Sequence, residues 1–66
     1  MGMTYKQLIH RIVRSLRRNN SNDVADQLEK GTLKLRMNES IFIHADATND
    51  ELANLIDRGQ IWLESK

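Results

Sequence analysis

Tyr5, Leu8, Ile9, Ile12, Val13 and Leu16 recur three or four residues apart, the spacing of a single stripe along a helix. Thr4 and Gln7 stand at the separation of a capping box, so the pattern predicts an amphipathic helix over residues 4–18. Asn19, Asn20, Ser21 and Asn22 then break the stripe. Their short polar side chains compete for backbone hydrogen bonds and favour a turn. Beyond them Val24, Ala25 and Leu28 share one side, acids occupy the first turn, Lys30 lies in the last turn and Gly31 follows. This suits both the helix dipole and a left-handed stop, and a short second helix is expected over 23–30.

After Gly31 the period changes from 3.6 to 2. Leu33, Leu35 and Met37 alternate with Lys34 and Arg36, the pattern of a strand with one dry and one wet face. Asn38, Glu39 and Ser40 are turn-prone, and Ile41, Phe42 and Ile43 resume with β-branched and aromatic side chains, so a β-hairpin is the economical expectation. Thr48 and Glu51 repeat the capping-box spacing, Leu52, Leu55 and Ile56 form a stripe, and Gly59 stands where a helix commonly ends, which predicts a third helix. Ile61 and Leu63 flank Trp62 in a closing strand over 60–64. The predicted order is α-α-β-β-α-β. It describes a small single-domain α+β fold whose three-stranded, mainly antiparallel sheet carries its helices on one face. Residues 3–66 read as that domain, with Met1 and Gly2 as expression-vector residues ahead of an initiator at Met3. No repeat, low-complexity tract or proline marks an internal boundary.

Composition narrows the chemistry. A chain of 66 residues has a thin core, because domains of this size bury only about 60% of the surface exposed on unfolding. With no cysteine, neither a disulfide framework nor a Cys-based zinc site supplements it. The longest apolar run, Ile41-Phe42-Ile43, is far short of a membrane span or a signal peptide, so a cytoplasmic protein is expected, without membrane contact. Apolar residues make up 39% and charged residues 29% at a net charge of +1, unlike the signature of disorder.

Catalytic groups are sparse. His10 and His44 lie on different elements without metal-ligand spacing, so no metal and no cofactor is expected. His10 falls about 200° round the helix from Leu8, on the solvated side. His44 lies near Asp46, a pair of the kind that orients a proton, but a histidine beside a turn is usually incidental. The serines lack a nucleophile elbow and the glycines form no phosphate-cradling loop. A core this thin also leaves little volume for a pocket of several hundred Å³. The sequence therefore reads as a non-enzyme.

Charge placement is more informative than charge total. Residues 1–22 carry Lys6, Arg11, Arg14, Arg17 and Arg18 and no acid, whereas residues 23–66 carry five bases and nine acids. Arg11, Arg14 and Arg18 cluster within about 60° opposite the apolar stripe, with Arg17 and His10 beside them, a ridge suited to phosphates. The plain alternative is that these arginines pair with the acids of the second and third helices. A helix-turn-helix is disfavoured, since Asp23, Asp26 and Glu29 would face a polyanion.

Strand alternation offers a second surface. If Leu33, Leu35, Met37, Ile41, Ile43, Ile61 and Leu63 face the core, Phe42 and Trp62 stand on the opposite face beside Lys34 and Arg36. Such a face serves as an aromatic interface centre or as a stacking platform for unpaired bases. The plain alternative places one or both aromatics in the core. The leading expectation is a non-enzymatic interaction or regulatory module that binds a partner protein as a homodimer, with Phe42 and Trp62 at its interface. By size it compares with small accessory proteins of bacteria and phages, an analogy of composition only. The second expectation is a nucleic-acid-binding regulator using Arg11, Arg14, Arg17, Arg18, Lys34 and Arg36.

Overall fold

A computed structural model describes residues 2–65 and resolves the chain into α1 (Tyr5–Arg18), α2 (Asn22–Lys30), β1 (Leu33–Met37), α3 (Asn49–Asp57) and β2 (Ile61–Ser65). Each helix begins or ends where its sequence specifies. Thr4 caps α1 by accepting a hydrogen bond from the Gln7 N–H while the Gln7 side chain accepts from the Thr4 N–H, a complete capping box. Gly31 ends α2 at φ +84°, where any Cβ would be strained. Thr48 caps α3 through the Glu51 N–H.

The sheet differs from the expectation. It has two strands, not three, and the order is α-α-β-α-β. β1 and β2 run antiparallel with Leu35 opposite Leu63, Arg36 opposite Trp62 and Met37 opposite Ile61. The hairpin expected between residues 33–37 and 41–43 is absent, and β1 meets other groups at both of its edges. β2 fills one. At the other, the Leu35 N–H donates to the Tyr5 hydroxyl at 3.2 Å. Asn38 also turns the chain away: its side chain accepts from the Ser40 N–H at 3.0 Å and its carbonyl from the Ile41 N–H at 3.1 Å. Ile41, Phe42 and Ile43 then run beside the start of the chain, where the Met3 N–H donates to the Ile43 carbonyl at 2.7 Å and Gly2 forms an isolated bridge with His44.

One apolar cluster unites these elements. Leu8, Ile12 and Val13 from α1, Ala25 and Leu28 from α2, Leu35, Ile43, Ala47, Leu52 from α3 and Ile61 are all buried. Leu35 and Ile61 place the odd-numbered side of the sheet on this cluster, and Lys34, Arg36, Trp62 and Glu64 therefore project from the other side. Among the described residues no helix is long and apolar enough to cross a membrane.

Candidate interaction surface

The outer side of the sheet holds four side chains. Trp62, the only tryptophan of the chain, is 44% exposed there and lies directly across from Arg36. Lys34 lies directly across from Glu64. The Arg36 Nε donates to Glu64 Oε2 at 3.1 Å, a diagonal pair that runs beside the indole. The result is a large half-exposed ring among charges that partly neutralise one another.

Phe42 does not join this surface. The hairpin that would carry it there does not form, so Phe42 sits in the connection after β1, 63% exposed, with its ring edge-on to His44 at 4.9 Å between centroids. It also closes over Gly2, where an added Cβ would lie 2.9 Å from Phe42 Cε1. The two aromatics therefore do not make one sheet platform. His44 is exposed and packs edge-to-face with Phe42, and among the described residues it makes no hydrogen bond or ion pair with Asp46.

The basic helix is divided by its surroundings. The Arg11 guanidinium is half-buried and donates to the Ala47 carbonyl at 2.8 Å and to Asn49 Oδ1 at 3.0 Å, so it ties α1 to the start of α3. Arg17 faces α2, donating to Asp26 Oδ1 at 2.9 Å and to Glu29 Oε1. Those two hydrogen bonds, the one to Asp26 first, raise its pKa above the ordinary arginine value. Only Arg14 and Arg18 of the expected ridge are exposed without an ion pair among the described residues. With Arg11, Ser15 and Asn49 they line a cleft of about 220 Å³ that contains no carboxylate.

A larger depression, of about 450 Å³, lies between α1 and the chain near Ala45, contrary to the expectation that so thin a domain has no such space. Met3, Lys6, Gln7, His10 and Arg11 line it. No carboxylate there is placed to hold the His10 tautomer, and no serine or threonine nucleophile stands beside it except Thr4, whose hydroxyl is spent on the α1 cap. Among the described residues no group of three or more His, Cys, Asp or Glu side chains converges as a metal site would require.

Sequence reasoning missed Tyr5 and Arg11 as tertiary ties. Tyr5 carried no signal beyond its place in the apolar stripe. Arg11 sits on the flank of the helix, one turn before Arg14 and three residues past Leu8, and a helical wheel gives its direction without saying what stands in that direction.

No family model, curated protein or solved structure matches the chain.

Proposed function

We propose that this protein is a non-enzymatic interaction module that acts as a homodimer and docks a partner protein on the outer face of its sheet. One observation carries the reading: the only tryptophan is left half-exposed on that face while aliphatic residues fill the core. Trp62 is the one aromatic ring on that face, and tryptophan and arginine are the residues that dominate protein interfaces. Lys34, Arg36 and Glu64 form the rim. The partner surface that fits is an apolar pocket with a border of mixed charge.

The test places a photoreactive side chain at position 34 or 64, on the outer face, and at position 30 or 53 as controls elsewhere. The expected result is one discrete cross-linked protein from the outer-face positions only. Equal cross-linking from all four positions overturns the reading.

A second reading, nucleic-acid binding, is favoured by the cleft that Arg14 and Arg18 line without a carboxylate. It is the weaker of the two. Arg11 and Arg17 are committed within the chain, Arg36 is paired with Glu64, and one aromatic rather than two stands on the sheet to stack on bases. Sedimentation with duplex and single-stranded oligonucleotides at about 50 and 200 mM salt separates the readings, since phosphate contacts weaken steeply over that range. A complex that forms at the lower salt and is lost in an Arg14→Glu, Arg18→Glu variant would favour nucleic acid.

A further inference from the structure

The two edges of the sheet are not equivalent. The Asn38 N–H donates to the Gln60 carbonyl at 2.9 Å, which continues the β1–β2 register by one residue and marks Asn38 and Gln60 as a hydrogen-bonded pair. Bonded and non-bonded pairs alternate in an antiparallel ladder, so Arg36 with Trp62 and Lys34 with Glu64 are bonded pairs, and Leu35 with Leu63 is not. The backbone groups of Leu35 and Leu63 therefore point outward, one to each edge. At the β1 edge, the Tyr5 hydroxyl takes up the Leu35 N–H. At the β2 edge no hydrogen bond from Leu63 or Ser65 runs outward among the described residues. The side chains agree. Leu35 and Leu63 face each other on the helix side of the sheet, yet Leu35 is 3% exposed and Leu63 is 39% exposed, so the β2 side of the sheet is the less covered of the two.

We propose that β2 pairs antiparallel with β2 of a second copy of this chain, centred on Leu63, to give a four-stranded sheet across a two-fold axis. The inference rests on the homodimer reading above and supplies its geometry. A strand with outward N–H and C=O groups is a template for another strand, and a two-fold axis requires one patch to fit itself. Centred on Leu63, all five residues of β2 find a counterpart in the other β2. Leu63 meets Leu63 on the helix side, Ile61 meets Ser65, and on the outer side Trp62 meets Glu64, so no like charges stand opposite one another. Moving the centre to Glu64 would set the two carboxylates face to face, and moving it to Trp62 would leave Glu64 and Ser65 opposite residues outside the strand. The chosen pairing also buries the exposed Leu63 and sets both Trp62 rings on one continuous outer face, the face proposed above for the partner.

Sedimentation equilibrium of Leu63→Lys, Leu63→Glu and their equimolar mixture tests the pairing. Each variant alone should remain folded by circular dichroism and associate at least about tenfold more weakly than the unchanged protein, since it places like charges directly opposite. The mixture should recover the dimer, because lysine then faces glutamate. If either variant unfolds, amide exchange of the unchanged protein reads the same point: the Leu63 N–H should be protected at high concentration and lose that protection on dilution. A dimer that persists in both charge variants, a mixture that stays monomeric, or a dimer with an unprotected Leu63 N–H overturns the edge pairing and leaves self-association standing. A monomer at all concentrations overturns both.

Discussion

The Tyr5 hydroxyl accepts a hydrogen bond from the Leu35 N–H at 3.2 Å and closes the edge of β1 that β2 does not cover. A residue of the first helical turn thus takes up one outward N–H of the sheet with the one polar atom of its side chain.

Tyr5→Phe keeps the ring and removes that acceptor. The variant should lose about 0.5–1.5 kcal/mol of stability, the net value of one such hydrogen bond, toward the lower end because the tyrosine is half-exposed and water can replace its hydroxyl. Urea unfolding checks this, with the slope of the transition unchanged.

Arg11 and its neighbours on the same helix should separate cleanly in the same assay. Arg11→Ala removes the charged donor to the Ala47 carbonyl and should cost about 1–2 kcal/mol, whereas Arg14→Ala, at an exposed site without a partner among the described residues, should stay within about 0.5 kcal/mol of the unchanged protein. Arg11→Lys should recover only part of this, since both bonds leave one nitrogen, Nη2, and the shorter lysine side chain does not carry its ammonium as far.

The helices were legible in the sequence because their signals are local. Thr4 with Gln7, and Thr48 with Glu51, mark starts whose hydrogen bonds the structure forms, and the Leu8, Ile12, Val13 stripe is the buried stripe. β1 was legible from alternation and β2 from its β-forming residues, whereas the outward direction of Trp62 was one of two readings that the sequence left open. Ile41, Phe42 and Ile43 were not, because strand propensity describes a segment and pairing requires a vacant edge. Whether β1 had one depended on Tyr5, thirty residues earlier, and on β2, more than twenty later. The same limit applies to the basic ridge: spacing put Arg11 and Arg17 near Arg14 and Arg18, but the Ala47 carbonyl and the acids of α2 claim the first two.

Gly31 offers a test of a backbone requirement without any contact to lose. Its φ of +84° lies in the left-handed region, and nothing stands within 4 Å of where a Cβ would be. Gly31→Ala should therefore destabilise the fold by about 1 kcal/mol through backbone strain alone, with no steric clash to relieve. Thermal unfolding compared with Gly31→Asn, which tolerates this conformation better, separates strain from packing: the asparagine variant should melt higher than the alanine one.

The claim that the outer sheet face is a docking surface is tested most directly by capture of the cross-linked partner with Trp62→Ala, scored against the fraction of variant that is folded. The account predicts a folded variant, since Trp62 lies outside the buried cluster, with capture reduced by tenfold or more, about 1.4 kcal/mol or above, the scale of an interface hot spot. Undiminished capture by a folded Trp62→Ala protein would contradict it.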